Sequence, residues 1–140
     1  MFRGRSDQTI DAKGRIILPV KFREILVGKY DSSLILTNFD TCLIAYPTEE
    51  WVEFEEKIRK LPSGDRKVRT FKRFIISGAT ECNIDRQGRI LIPPSLKTYA
   101  QLERDIVVAG QSRKCAEFFS TDPQEILQSS GRLVNLQSRP

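Results

Sequence analysis

The stretch IDAKGRIILP, residues 10–19, returns as IDRQGRILIP, residues 84–93. The offset is a constant 74 residues: Ile10, Asp11, Gly14, Arg15, Ile16 and Pro19 recur as Ile84, Asp85, Gly88, Arg89, Ile90 and Pro93. Ile17 and Leu18 are answered by Leu91 and Ile92, so the apolar columns are kept, and only the interior drifts, from Ala12-Lys13 to Arg86-Gln87. A repeat of this kind constrains the fold more than any composition does. A chain of 140 residues must be built from two copies of one small unit, each too short to bury a core alone.

Within each copy the pattern reads strand, turn, strand, helix, strand, turn, strand. Asp opens a tight turn because its carboxylate accepts backbone N–H groups two residues on. Gly suits the position that needs positive φ, as in a type I turn with a G1 bulge. Each copy therefore reads as a tight β-hairpin with an Arg just after the turn. Pro19 and Pro93 end the strand and fit the first turn of a helix. Phe22, Ile25 and Leu26 share one face of the helix that follows, as do Leu96, Tyr99 and Ala100 in the second copy. Gly28 suits the end of the first helix as a C-cap.

A second strand pair follows, SLILTN with CLIAYP and DIVVAG with CAEFFS. After YP, Thr48 is placed to N-cap a helix whose apolar stripe is Trp51, Phe54, Ile58 and Leu61. These aromatic residues read as core. LPSGD breaks that helix, and a second one over 65–77 has Val68, Phe71 and Ile75 on one face and Arg66, Arg69 and Arg73 on another. The reading divides the chain into repeat 1 (1–47), a helical connector (48–78), repeat 2 (79–122) and a loose C-terminal tail (123–140). The fold class is mainly β with short helices (α+β). Two copies closing on each other form one small barrel without free edges, a pseudo-dimer within one chain.

The net charge of +5 is unevenly spread. Residues 1–30 hold seven Lys and Arg against three acids, residues 31–62 three against seven, and residues 63–80 five against one. Segregated basic blocks suit a polyanion, although a mixed surface of a soluble protein has similar totals. The basic helix is a second phosphate surface or a partner for the acidic helix Glu49–Glu56 of its own or a neighbouring chain, and matched opposite blocks favour pairing. No histidine is present, which removes the commonest general base and metal ligand. Cys42, Cys82 and Cys115 are far apart and odd in number, so neither a zinc site nor a disulfide framework is indicated. Cys42 and Cys115 sit at comparable strand positions and read as buried small apolar groups. With no Gly-rich phosphate loop either, no enzyme, cofactor, metal or small-molecule substrate is expected. The first residues lack a signal-like apolar core and no run is long enough to cross a bilayer.

MFRGRSDQTIDAKGRIILPVKFREIL resembles the start of the MraZ family, bacterial proteins encoded beside division and cell-wall genes, and GATECNIDRQGRILIPPSLKTYAQL resembles its second half. Both carry an Asp-x-x-x-Arg signature, Asp11/Arg15 and Asp85/Arg89, and the likeness runs from Met1 to about Phe119. It implies a tandem AbrB-like fold, a swapped-hairpin or double-split β-barrel with a pseudo-twofold axis. It further implies a cytoplasmic, nucleoid-associated transcriptional regulator that binds G-rich repeated boxes in double-stranded promoter DNA of the division and cell-wall cluster, and a ring-shaped homo-oligomer.

Arg15 and Arg89 are the candidate base readers, because a short β-ribbon holding Arg nearly rigid can enter the major groove. The alternative is that each Arg only braces its turn by pairing with Asp11 or Asp85, and Arg86 could stand in for Arg89. Arg3, Arg5, Lys13, Lys21 and Arg23 are candidate phosphate contacts, while Asp11, Gly14, Asp85 and Gly88 shape the turns. The competing function is an antitoxin-like or scaffold module holding a protein partner on the same barrel.

Overall fold

The computed structural model describes residues 4–29, 33–110 and 115–120. The tail expected over 123–140 and the candidate Arg3 lie outside the described residues. Repeat 1 contributes β1 (Arg5–Thr9), β2 (Arg15–Ile17), α1 (Val20–Lys29), β3 (Ser33–Phe39) and β4 (Cys42–Pro47). Helices α2 (Thr48–Arg59) and α3 (Arg66–Ser77) follow. Repeat 2 contributes β5 (Thr80–Asn83), β6 (Arg89–Leu91), α4 (Pro94–Tyr99), β7 (Asp105–Gly110) and β8 (Ala116–Ser120). This is a mixed, mainly β chain of the α+β class.

The strands exchange partners between the copies. One six-stranded antiparallel sheet runs β1-β7-β8-β4-β3-β5, and β2 pairs with β6 in a separate two-stranded ribbon. β1 thus pairs with β7 of the other copy, and β5 with β3. The simple hairpin expected within each copy is corrected here: β1 leads into β2 through the tight turn but does not ladder with it. Two backbone bonds close the turn, Asp11 N–H to the Arg15 carbonyl at 2.9 Å and Gly14 N–H to the Asp11 carbonyl at 3.0 Å. Beyond it the chain leaves for its repeat-mate, where Leu18 N–H donates to the Gly88 carbonyl (3.0 Å) and Ile92 N–H to the Gly14 carbonyl (2.9 Å). The exchange splits the hydrogen-bonded ladder in two places, so the expected edge-free barrel is two sheets around a shared core.

That core joins both copies. Ile10, Ile16, Leu18, Phe22 and Leu26 pack with Ile90, Ile92, Leu96, Ile106, Val108 and Phe118. Each such side chain buried contributes about 1.5–3 kcal/mol. A smaller cluster lies under the helical connector, where Ile35, Trp51 and Ile75 pack with Phe39, Tyr46, Phe54 and Phe71. Tyr46 and Phe54 stack there with ring centroids 4.7 Å apart. Leu61, expected in the α2 stripe, is exposed.

Several local expectations differ. Gly28 lies inside α1 and caps nothing. Pro47 occupies the N-cap position of α2, and Thr48 instead shares a 2.7 Å hydrogen bond with Ser33, because the strand β4 runs straight into the helix. Asp65 does cap α3, accepting from Lys67 N–H at 2.8 Å. Arg59 pairs with Glu55 within α2, and Arg15–Asp11 and Arg89–Asp85 pair within the two turns. Lys72 of α3 donates to the Arg59 carbonyl at the end of α2 (2.9 Å), and Arg69 to the Ser63 carbonyl in the loop between the helices (2.7 Å). The three cysteines are free and buried, and burial raises the thiol of Cys82 to about 11. The registers set Cys42 level with Cys115, as the sequence suggested: Thr9 faces Asp105 and Asn83 faces Ser33, so Leu36 answers Val108, and their partners Ala45 and Phe118 each lie three residues after one of these cysteines.

Candidate nucleic-acid interface

The two signature turns have the same geometry. Asp11 Oδ1 accepts from Lys13 N–H (2.9 Å) and Arg15 N–H (2.8 Å), while Oδ2 accepts from Arg15 Nε (2.8 Å). Asp85 Oδ1 accepts from Gln87 N–H (2.9 Å) and Arg89 N–H (2.8 Å), and Oδ2 from Arg89 Nε (2.8 Å). Gly14 and Gly88 take φ of +86° and +78°, a conformation that a side chain disfavours. The Arg15 backbone N–H foremost, and then its guanidinium, hold the Asp11 carboxyl below the ordinary Asp value, and Arg89 does the same for Asp85. Each carboxylate therefore stays ionised and fixes the Arg by Nε alone. Both Nη groups of Arg15 have no partner among the described residues. Arg89 spends one of its Nη groups on a 3.4 Å contact with Gln87.

The ribbon carries both arginines to one face. Register pairs Arg15 with Leu91, Ile16 with Ile90 and Ile17 with Arg89. Ile16 and Ile90 point into the core, each 1% exposed. Side chains alternate along a strand, so Arg15, Ile17, Arg89 and Leu91 all stand on the outer face. Their side-chain exposures of 29% for Arg15 and 26% for Arg89 leave the guanidinium ends reachable. The two turns lie about 13 Å apart along the ribbon, at its opposite ends.

The other candidates divide. Lys13 and Arg86 are exposed in the two turns, so each turn keeps one cation, at a different position. The chain enters α1 beside the second turn, and there Arg23 lies against Gly88 while its Nε donates to the Leu18 carbonyl at 3.0 Å. Lys21 is exposed on the same first helical turn. Arg5 is exposed at the far end of β1, roughly 20 Å along the strand from Asp11, and does not join this cluster. Two outer-face residues of the ribbon and one residue of α4 escaped the sequence reading. Ile17 and Leu91 are 48% and 56% exposed; the alternation about Ile16 and Ile90 was the signal for them. Lys97 of α4 stands 74 residues after Arg23, and the constant offset marks it.

Among the described residues no group of His, Cys, Asp and Glu could hold a metal ion, and no helix is long and apolar enough to cross a membrane. A family model described as "MraZ protein, putative antitoxin-like" matches residues 1–74 and again residues 75–125. The chain belongs to the MraZ family. Two successive matches of one family model also establish the tandem repeat. The protein named transcriptional regulator MraZ from Moorella thermoacetica is 48% identical over 114 residues, 81% of this chain and 78% of that one. The one from Nitratidesulfovibrio vulgaris is 44% identical over 115 residues, 81% and 77% of the two chains. The MraZ regulator from Syntrophobacter fumaroxidans is 48% identical over 109 residues, 78% and 73%.

Proposed function

We propose that this chain is a sequence-specific DNA-binding transcriptional regulator, not an enzyme, that reads duplex DNA with the outer face of its β2–β6 ribbon. The observation that carries this reading is the duplicated bracket: two arginines, each fixed through Nε by an ionised Asp, on one face of a two-stranded ribbon. A guanidinium locked in orientation with Nη donors to spare suits bidentate bonding to guanine O6 and N7. An exposed ion pair alone adds only about 0–1 kcal/mol to stability, which gives little reason to write it twice. Lys13, Arg86, Lys21 and Arg23 surround the ribbon as phosphate contacts that fix register without reading sequence. The names of the relatives support the regulatory role. The target is G-rich repeated boxes in promoters of the division and cell-wall genes, the working form is a ring-shaped homo-oligomer, and the site of action is the cytoplasmic nucleoid.

Binding of wild type and of Arg15→Ala to a G-rich box, over a salt series, tests the reading. Arg15→Ala is expected to lose about 1–3 kcal/mol of specific binding per engaged subunit and to relax the preference for guanine. Lys21→Ala is expected to weaken all sequences equally and to lower the salt slope by about one unit. An Arg15→Ala protein that folds, assembles and binds with unchanged base preference would show that this Arg only braces its turn. The family description favours a second reading, an antitoxin-like module that holds a protein partner on the same barrel. Duplex binding without base preference, beside tight capture of one defined protein, would favour it.

A further inference from the structure

The outer face of the ribbon holds more than arginine. Ile17 and Leu91 are 48% and 56% exposed, although an outward strand position needs no large aliphatic group. They are the same position of the two copies, and the register sets each beside an arginine, Ile17 opposite Arg89 and Leu91 opposite Arg15. The face is therefore a square with cations on one diagonal and branched aliphatic chains on the other. Lys13 and Arg86 are exposed in the turns at its two ends, Lys21 is exposed on the helix that starts beside one of them, and half-buried Arg23 of that helix lies against Gly88. A protein core would reject four to six cations around two aliphatic side chains. A major groove matches them, since it offers phosphates at its rims, guanine acceptors on its floor and one apolar group, the thymine 5-methyl.

We propose that Ile17 and Leu91 are specificity-determining residues that each contact a pyrimidine 5-methyl group beside the guanine taken by the neighbouring arginine. The proposal rests on the DNA-binding reading above. Its spacing is consistent with B-form DNA. Residues opposite each other across the ribbon stand about 5 Å apart, and residues two apart on one strand about 7 Å. Base pairs rise about 3.4 Å, so a methyl one or two steps from each guanine meets the aliphatic group while the Arg meets the guanine. The pseudo-twofold axis makes the pattern recur with opposite polarity on the two sides of the ribbon.

The probe is a duplex box selected by the wild-type protein from a random pool. Its thymines are replaced by deoxyuridine, which removes the methyl and keeps the pairing. Wild type is expected to lose about fourfold in affinity for each contacted methyl removed. The variant carrying Ile17→Ala and Leu91→Ala is expected to bind the thymine and uracil boxes equally, while still preferring guanine to adenine. Equal wild-type affinity for both boxes would overturn the proposal, as would a selected box without thymine, or a double variant that keeps the discrimination. A double variant with altered oligomer mass would assign the two side chains to a contact between chains and overturn it as well. Loss of base preference on Arg15→Ala, beside indifference to uracil, would retain the DNA-binding reading and reject only the methyl contact. Absence of duplex binding by wild type would reject both.

Discussion

At the scale of the residue, Asp11 does two things with one carboxylate. Oδ1 gathers the backbone N–H groups of Lys13 and Arg15, which shapes the turn, and Oδ2 orients the guanidinium. The Asp, Gly and Arg of each turn could be read from their spacing, because an Asx turn and a positive-φ glycine leave a local signature. The identity of the donor atom could not. That Nε, rather than Nη, faces the carboxylate depends on the ribbon, which only the other copy completes. Because the folded-state pKa of Asp11 and of Asp85 lies below the unfolded value, their stabilising contribution is complete above the ordinary Asp range. It is lost as the pH falls through the depressed folded value. The variant carrying Asp11→Asn and Asp85→Asn keeps an acceptor for the turn and lacks the charge. Calorimetric melting over a pH series is expected to show wild type more stable at neutral pH. The gap should close on acidification below about pH 4. A gap of constant size down to strongly acid pH would mean that the carboxylate charge contributes nothing. The same variant should lose less specific DNA binding than Arg15→Ala, since it removes orientation and not the contact.

At the scale of the element, α3 is fastened to the sheet by its last turn. The Thr37 hydroxyl, fully buried on β3, donates to the Ile75 carbonyl at 2.6 Å, and Asn38 Nδ2 donates to the Phe74 carbonyl at 3.0 Å. Helix ends leave their final carbonyls unsatisfied, and here a neighbouring strand supplies the donors. Gly78 is needed beside this clamp, because a Cβ there would run into the Asn38 side chain. The helix itself was legible from Asp65 and from the spacing of Phe71 and Ile75. Its fastening was not, since Thr37 and Asn38 are nearly forty residues earlier and look like ordinary strand positions. Thr37→Val keeps the shape and removes the donor, leaving a buried acceptor without its partner. It is expected to cost about 1–3 kcal/mol, seen as a lower denaturation midpoint with an unchanged m-value. An unchanged midpoint would mean that water or a backbone N–H replaces the hydroxyl at no cost.

At the scale of the whole molecule, the repeat foretold a shared core, and the hydrophobic pattern foretold which side chains enter it. Strand exchange came only with the family resemblance and not from the residue pattern, for a physical reason. A hairpin and a swapped hairpin bury the same alternating residues through the same turn, and only the partner of each strand differs. The connector is where the copies part: α2 and α3 follow repeat 1, and α2 carries five acids where α3 carries five bases. Arg66 and Arg73 of α3 have no side-chain partner among the described residues, and Arg59, Arg69, Lys72 and Arg73 line an open groove of about 400 Å³ between basic side chains. Such a surface gains from an acidic neighbour on another copy, and several ribbons presented together would bind repeated boxes with avidity if their spacing matches. Light scattering is expected to give a multiple of the 16.1 kDa chain mass. Reversing charge at Arg66 and Arg73 to Glu should lower that mass while leaving the circular dichroism of the folded chain intact. DNA binding to a single box should then persist, and binding to repeated boxes should fall toward the single-box value. A wild-type mass of 16.1 kDa at working concentration would remove the ring. Repeated boxes would then have to be occupied by independent chains, with no gain in affinity over one box.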